Sequence, residues 1–308
     1  METATVNSVL EQPWWLDAVA PGQWEEAVVQ NEEGRITARL PYCIRNKRIF
    51  MPPYTQCLGV WFADQGSSPY YRCNEEKEQI GALLDQLSNK AKHISIRLYP
   101  SNQYVLPYYW RGFRLIPHFT YRINDLSDCS RIYADFHKTT KKNIKSAKNK
   151  VTIREDPDPA RLFSLLDKTF EAQGRSNPMD KETLRRIIEA CGEHRAGKLL
   201  IAEDAEGNAH SGAFLAYDEN VCYYLFAGSD PKFRSSGAQS LVLWQAIQFA
   251  SGRSRVFDFE GSMIESIEVF FRRFGCESTL YYEVKKQSLF ADLLDMAKPR
   301  LKRLLHYK

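Results

Sequence analysis

The stretch that decides the fold lies near the end of the chain, at Val256–Gly275, and reads VFDFEGSMIESIEVFFRRFG. Apolar and acidic side chains alternate at its start, which predicts a β-strand with Asp258 and Glu260 on one face. Gly261 interrupts this strand, and apolar residues then recur at helical spacing up to Gly275, where a helix C-cap glycine belongs. The stretch therefore predicts a strand, a glycine turn and an amphipathic helix.

The two carboxylates of this stretch indicate a possible site of proton transfer. Carboxylates at the end of a strand, beside a glycine turn, are suited to accept a proton from an amine. We take Glu260 as the candidate general base and Asp258 as the group that orients the amine or a water molecule. Two other interpretations stay open, an edge strand with a solvated acidic face and a helix cap supplied by Asp258 or Ser262.

The composition is that of an ordinary globular protein. A chain of 308 residues exceeds what one hydrophobic core usually serves, so we expect two domains. A net charge of +4 does not by itself imply a nucleic-acid partner. The seven cysteines are odd in number and form no C-x-x-C pair, which argues against a disulfide framework and a zinc site. We expect reduced thiols and no metal.

The two ends of the chain bear on its location. The first residues include Glu2 and Glu11 and no apolar core of a signal peptide, and no run of residues is apolar over the length of a bilayer. We therefore expect a cytoplasmic protein without a transmembrane segment. The predicted tail helix, Leu289–Leu305, combines leucines with basic residues. We expect it to pack back on the first domain, with peripheral contact to an anionic membrane as the alternative.

The order of the predicted elements indicates the fold class. The second half reads helix, helix, three strands joined by hairpins, helix, strand, helix, strand, which is an α+β order with a mixed sheet. Neither G-x-G-x-x-G after a strand nor G-x-x-x-x-G-K-[ST] occurs, so the corresponding nucleotide-binding loops are not predicted. We divide the chain into residues 1–150, which end in a basic helix, residues 151–285, and a tail helix at 286–308.

A candidate anion site precedes the long helix of the second half. The segment GSDPKFRSSGAQS begins at Gly228, and it connects a predicted strand to a helix that starts near Gly237. Free backbone N–H groups and the positive end of the helix dipole meet at such a helix N-terminus. An ordinary loop with a helix cap is the alternative. The candidate anion-binding residues are Ser229, Lys232, Arg234, Ser236 and Gly237.

The basic helix predicted at Asp135–Lys150 carries its lysines on one broad face. Like charges on one face repel one another and favour an anionic partner, either a phosphate-rich substrate or RNA. The helix lacks interleaved aromatic residues, so sequence-specific readout of nucleic acid is not predicted, and we expect no DNA partner. A solvated face is an equally good interpretation. The lysines are Lys138, Lys141, Lys142, Lys145 and Lys148.

These segments together resemble the FemAB-like branch of the GNAT acyltransferase superfamily over roughly residues 10 to 285. The stretch MPPYTQCLGVWF resembles the P-x-T-Q-x-L-G segment of the family's first domain, and VFDFEGS resembles a strand of its second domain. Arg234 and Gly237 match the acyl-CoA pyrophosphate pattern R/Q-x-x-G-x-G/A, with Gln239 at the last small position. The family's R-x-N-I-R-K-A segment is matched by Lys141, Asn143, Ile144, Lys145 and Ala147.

The resemblance implies both a fold and a reaction. The implied fold has two tandem GNAT-like domains, each with a mixed, mostly antiparallel sheet flanked by helices, around a cleft. The implied reaction is attack of an amine on an activated acyl group, with acyl-CoA or aminoacyl-tRNA as the donor. The acceptor would be a small molecule or a cell-surface precursor of the kind found in polysaccharide and surface-modification systems. The candidate substrate-binding residues are Tyr54, Gln56, Lys141, Lys142, Arg175 and Arg272.

One position departs from the family pattern. The family often has F-K-x-x-F-G after the acidic strand, and here Phe271 occupies the lysine position. In the peptidoglycan-bridge enzymes that lysine is tied to substrate handling, so its replacement argues against their reaction. We therefore expect an N-acyltransferase that uses acyl-CoA, with two alternatives: an aminoacyl-tRNA-dependent ligase and a non-catalytic binding protein on the same fold.

Overall fold

The computed structural model describes residues 6–63, 68–156, 158–261 and 263–288. In chain order the helices are α1 (Pro13–Val19), α2 (Pro69–Lys90), α3 (Leu106–Trp110), α4 (Cys129–Asp135), α5 (Lys138–Ala147), α6 (Ala160–Glu171), α7 (Lys181–Glu193), α8 (Ala238–Ser251) and α9 (Glu265–Arg272). The strands are β1 (Trp24–Gln30), β2 (Ile36–Arg45), β3 (Arg48–Phe50), β4 (Trp61–Phe62), β5 (His93–Arg97), β6 (Arg114–Ile123), β7 (Thr152–Glu155), β8 (Gly197–Glu203), β9 (Ala209–Tyr217), β10 (Val221–Ser229), β11 (Val256–Asp258) and β12 (Glu277–Lys286). The predicted tail helix at 289–305 lies outside the described residues.

The chain folds into two compact units that do not follow the sequence order. One unit holds residues 20–118 and the segment that begins at Tyr281, and the other holds residues 8–19 and 119–280. The chain therefore passes from the first unit to the second within β6 and returns within β12.

The first unit is built on a mixed sheet in the order β1-β2-β3-β5-β12, with β4 paired to β2. The pair β3 and β5 is parallel, and the other neighbours are antiparallel. The amphipathic helix α2 buries the apolar stripe that the sequence predicts, namely Ile80, Leu83, Leu84 and Leu87.

The second unit is built on a sheet in the order β6-β11-β10-β9-β8-β7. The neighbours β10 and β11 are parallel, and the other pairs are antiparallel. Helix α8 is apolar around most of its circumference, and it is buried between the sheet and α5. Helix α6 packs on the opposite face, where the backbone of Leu165 lies against Gly228. The predicted α+β class with mixed, mostly antiparallel sheets is confirmed.

The compact units do not coincide with the predicted domains. Residue 150 lies inside the second unit, because α5 buries Ile144 and Ala147 in the core that also contains Val242 of α8. The boundary predicted from the sequence, at residue 150, places this helix in the first domain.

The segment at residues 8–19 also belongs to the second unit. The Val9 N–H donates to the Asp218 carboxylate at 2.5 Å, and the Trp14 ring stacks on His194 with centroids 4.5 Å apart. Burial raises the pKa of Asp218 above its usual value, although the N–H groups that donate to it act in the opposite direction.

The helices that the structure describes include none with both the length and the apolar character needed to cross a bilayer.

Replacing Ile144 by Ala tests the assignment of α5 to the core of the second unit. The side chain is 1% exposed, so the truncation leaves a cavity, and we expect a loss of about 3 kcal/mol in the free energy of unfolding. Urea denaturation measures this loss. The control is Lys142→Ala on the exposed face of the same helix, which should change stability by less than about 0.5 kcal/mol. Equal effects of the two substitutions would contradict the assignment.

Candidate functional site

The candidate site lies in the second unit, at the carboxyl ends of the neighbouring parallel strands β10 and β11. Their pairing runs from Val221 opposite Val256 to Tyr223 opposite Asp258. Strand β11 then ends, whereas β10 continues to Ser229 with a register irregularity against β9 between Tyr224 and Phe226. The ladder between the two strands thus stops half-way along β10.

The predicted anion loop follows β10 directly and forms a 3₁₀ segment at Pro231–Ser236. Asp230 caps this segment by accepting the Lys232 N–H at 2.9 Å, and it forms an ion pair with Lys168 at 2.7 Å. Thr169 fixes the preceding residue through both backbone groups of Ser229, at 2.8 and 3.1 Å. The loop is therefore fastened to α6 before it reaches the next helix.

The start of α8 has a conformation that requires glycine. Gly237 has a φ of +79°, and a Cβ at this position would lie 2.6 Å from the Asn143 carbonyl oxygen of α5. The hydroxyl of Ser236 accepts the Ala238 N–H at 3.2 Å. The N-terminus of α8 thus lies against the basic helix, and the side chains of Lys232 and Arg234 are exposed beside it.

A histidine that the sequence analysis missed supports the same loop. The His210 ring stacks on Phe233 with centroids 3.9 Å apart and planes 7° apart, and its Nε2 lies 3.0 Å from the Asp204 carboxylate. Hydrogen bonds from Asn208 and His210 lower the pKa of Asp204 to about 2, so this carboxylate stays charged at neutral pH. The β8–β9 hairpin therefore supports the loop through the contact between His210 and Phe233.

Asp258 is a fully buried carboxylate with three donors. Its oxygen atoms accept hydrogen bonds from the Thr120 hydroxyl at 2.5 Å, from Arg122 Nε at 2.7 Å and from the Glu260 N–H at 2.8 Å. A buried charge is tolerated when it is paired and hydrogen-bonded in this way. Asp258 thus joins β6, β11 and the following turn. Its predicted role in orienting a substrate amine stays a prediction.

Glu260 does not lie on the strand, contrary to the predicted alternation. β11 ends at Asp258, and the next turn places Glu260 at φ +59° and Gly261 at φ +53°. The tight approach of Gly261 to the backbone of Phe119 and Thr120 leaves no room for a Cβ, which fixes this turn. A non-glycine residue with a left-handed backbone costs about 1–2 kcal/mol, and such residues concentrate at functional sites.

The alternatives for the helix cap are also resolved in part. The N-cap residue of α9 is Ile264, and Asp258 instead bonds to the turn and to β6. Ser262 lies outside the described residues.

The remaining predicted cations of the second unit are dispersed around the site. Lys141 donates from Nζ to the Ala134 carbonyl at 2.6 Å, and Lys142 is exposed. Arg175 is exposed, with its guanidinium 5.9 Å from the centre of the Phe170 ring. Arg272 is exposed on α9 and pairs with Glu268 at 3.4 Å. The structure thus brings the loop residues and α5 together but gives Arg175 and Arg272 local contacts.

Tyr54 and Gln56 belong to the first unit. Tyr54 is half-buried at a φ of +55°, and Gln56 is 4% exposed. Arg97 donates to the Thr55 carbonyl at 3.0 Å and holds the loop between them. Their predicted contact with a substrate stays a prediction.

Three polar partners of the site, Thr120, Arg122 and Thr169, were not found from the sequence. Arg122 contacts Asp258 across 136 positions of the chain, and no local pattern reports such a contact. The one available signal was the placement of Thr120 and Arg122 on the same face of a predicted strand, which marks a polar pair on a face that the fold buries.

Comparison with known proteins identifies the unit that holds this site. A family model described as an acetyltransferase (GNAT) domain matches residues 134–263, a segment that contains α5, the anion loop, α8 and the turn at Glu260. The crystal structure of FemX is similar to 89% of this chain over 91% of its own length, with 15% sequence identity and a TM-score of 0.68. The second unit therefore contains a GNAT acetyltransferase domain, and FemX shares the fold of the chain. No curated protein sequence matches it.

Two further solved structures have the same fold as this chain. The C-terminal domain of a putative lysylphosphatidylglycerol synthetase from Agrobacterium fabrum is 11% identical, with a TM-score of 0.57 and coverage of 90% of this chain and 89% of that domain. A tandem GNAT protein from the clavulanic acid biosynthesis pathway is 12% identical, with a TM-score of 0.53 and coverage of 86% and 83%. The predicted tandem GNAT-like architecture is therefore confirmed. The identities of the donor and the acceptor have to be argued from the residues of the site.

The part of the chain that the structure describes contains no group of three or more His, Cys, Asp or Glu side chains placed to hold a metal ion.

Replacing Thr120 by Val tests whether the buried carboxylate depends on its hydroxyl donor. Valine keeps the shape but removes a hydrogen bond to a charged, fully buried oxygen, so we expect a loss of about 1–3 kcal/mol in stability. Chemical denaturation measures the loss. Thr120→Ser retains the donor and should recover most of the stability. If valine and serine give the same stability, the bond to Asp258 contributes little.

Proposed function

We propose that this GNAT acyltransferase moves an acyl group from acyl-CoA to an amine of a small molecule or a surface-polymer precursor in the cytoplasm. One observation carries the proposal: the anion loop follows β10 and Glu260 follows β11, and these neighbouring parallel strands pair only as far as Tyr223 and Asp258. A phosphate-binding element and a proton acceptor at one edge of a sheet are the two parts that transfer from a phosphorylated thioester to an amine requires.

The donor is proposed to lie along β10. The amide groups of its pantetheine arm would pair with the strand edge beyond Tyr223, and its pyrophosphate would meet the N-terminus of α8 at Gly237 and Ala238. Lys232 and Arg234 are exposed beside this terminus and would neutralise the phosphate charge. In this arrangement Ser229 and Ser236 position the backbone of the loop, since both already bind protein groups.

The transfer step is proposed to use Glu260 as its base. The amine nitrogen attacks the thioester carbonyl carbon, the new C–N bond forms and the C–S bond breaks to release CoA thiolate. Glu260 accepts the proton that the amine loses and returns it to solvent or to the thiolate. Asp258 holds the Glu260 backbone through the N–H bond at 2.8 Å, which positions the base without taking part in the proton transfer.

The acceptor is proposed to contact the cations around the site. Lys141 and Lys142 of α5 and the exposed Arg175 and Arg272 supply positive charge for an acceptor that carries phosphate or carboxylate groups. The Agrobacterium fabrum neighbour is described as a putative synthetase of lysylphosphatidylglycerol, which is an aminoacylated phospholipid, and FemX shares the fold. An acceptor that carries an anionic group is consistent with the description of the Agrobacterium fabrum protein.

Donor binding is tested by thermal stabilisation with acetyl-CoA. A ligand that binds only the folded protein raises its melting temperature, so we expect a rise at millimolar acetyl-CoA that Arg234→Ala reduces by half or more. The matched control is Arg185→Ala, an exposed arginine on α7. A melting temperature that no acyl-CoA changes would count against the proposal.

The role of Glu260 is tested by Glu260→Gln, which keeps the size of the side chain and removes the proton acceptor. General base catalysis contributes about 10²–10⁴-fold, so we expect kcat to fall by at least about 100-fold while acetyl-CoA still stabilises the protein. Glu265→Gln, an exposed glutamate on α9, is the control and should retain activity. A Glu260→Gln enzyme with wild-type kcat would remove Glu260 from the mechanism.

The exposed lysines of α5 favour aminoacyl-tRNA as a second candidate donor. Lys138, Lys142 and Lys145 are exposed on a helix whose backbone touches Gly237, so a phosphodiester chain there would reach the same site. We expect Lys142→Glu/Lys145→Glu to weaken tRNA binding and to reduce its salt dependence, as measured by filter binding at several salt concentrations. Lys77→Glu/Lys92→Glu makes the same charge change in the first unit. Equal affinities of the two variants would exclude this donor site.

A further inference from the structure

Helix α9 exposes the apolar residues at its beginning. The predicted apolar stripe divides in the structure, since Phe271 and Phe274 are buried whereas Ile264 is 57% and Ile267 38% exposed. Met263, just before the stripe, is 69% exposed. These three side chains follow the turn that carries Glu260. Large apolar side chains that cluster on a surface commonly mark a binding site, whereas isolated ones need no explanation.

Phe119 extends this surface on the neighbouring strand. Thr120 and Arg122 bond to Asp258 on one face of β6, so Phe119 and Tyr121 point to the other face. Tyr121 lies beside Glu268 of α9, whose charge together with burial raises the pKa of Tyr121. Ile264 lies one helical turn before Glu268 and Phe119 lies two residues before Tyr121, so both approach the turn at Gly261.

We call Phe119, Met263, Ile264 and Ile267 the apolar ledge. The backbone of Gly261 touches that of Phe119, so the ledge adjoins Glu260 directly. In the sheet order β6-β11-β10, the ledge lies on the β6 side of β11, whereas the proposed donor lies along β10 on the other side. A substrate that reaches Glu260 from the ledge therefore comes from the side opposite the donor.

We propose that the apolar ledge binds the hydrocarbon chain of an amphiphilic amine, which makes the acceptor an amine with an alkyl chain. This assignment rests on the proposed function, because the amine is placed at Glu260. The ledge is continuous with the base and lies across β11 from the donor, which assigns it to the acceptor and not to the acyl group. The four apolar side chains of the ledge have exposed fractions between 38% and 69%, and an alkyl chain bound there would cover part of this surface.

The test is a series of linear alkylamines from butylamine to decylamine, each below its critical micelle concentration, with acetyl-CoA as donor. Full burial of a methylene is worth about fourfold, and burial against an open surface less, so we expect kcat/KM to rise about twofold per methylene. Ile264→Ser/Ile267→Ser should abolish this dependence. Leu106→Ser, which removes a side chain that is 47% exposed in the first unit, is the matched control and should keep it.

One further series distinguishes binding of the acceptor at the ledge from binding of the acyl chain there. With butylamine fixed, the acyl chain of the donor is lengthened from acetyl- to octanoyl-CoA. A chain-length dependence that appears only in this series and disappears in the serine variant would overturn the assignment to the acceptor. The assignment would also be overturned if the serine variant kept the wild-type rise of kcat/KM with alkylamine length. This holds even if the variant no longer binds phosphatidylcholine vesicles or no longer dimerises, since those losses would indicate a membrane or a second copy as the occupant of the ledge.

Calorimetric titration with decyltrimethylammonium, which cannot accept an acyl group, separates this inference from the proposed function. Binding that Ile264→Ser/Ile267→Ser weakens at least tenfold supports the ledge even where no amine is acylated. Absence of acyl transfer to every amine would then count against the proposed function alone. If decyltrimethylammonium does not bind and no alkylamine slope is found, the ledge is not a hydrocarbon site.

Discussion

The buried carboxylate of Asp258 is the interaction on which the site depends. It is inaccessible to solvent, so its charge is stable only because Thr120, Arg122 and the Glu260 N–H all donate to it. These donors come from β6 and from the turn after β11. Since β11 is also the parallel neighbour of β10, one buried charge fixes the strand end, the turn and their register relative to the strand that leads to the anion loop.

The carboxylates of Asp258 and Glu260 differ in their surroundings. Asp258 has its oxygen atoms directed at protein donors, whereas the consecutive left-handed residues Glu260 and Gly261 carry the second carboxylate off the line of the strand. The cost of a left-handed glutamate, about 1–2 kcal/mol, is offset by the hydrogen bond of its own N–H and by the close packing of Gly261 on β6. The strained residue is therefore the one that carries the proposed base.

The hydrophobic periodicity of the sequence predicted the helices and strands well, but it did not predict which distant side chains contact one another. The sequence predicts a strand at 221–227 and a helix at 237–250, and the structure has them at Val221–Ser229 and Ala238–Ser251, where each buries most of its side chains. The predicted end of β11 was wrong, since the apolar and acidic alternation continues through Glu260, whereas the strand ends at Asp258 and the backbone turns at the left-handed residues Glu260 and Gly261. The anion loop was found from its local pattern, whereas its supports, Thr169 and His210, come from elsewhere in the chain.

The apolar residues of α9 are buried at its end and exposed at its beginning. The burial at its end explains why Phe271 stands where the FemAB-like pattern often has a lysine. Its ring lies 5.2 Å from that of Phe259 and is 8% exposed, so this position completes an aromatic core where a lysine would require its charge to reach solvent. Filling that position with an aromatic ring fixes the end of α9 on the sheet and leaves its apolar beginning beside Glu260. The same helix thus buries aromatic side chains at its end and exposes apolar side chains at its beginning, next to the turn that carries Glu260.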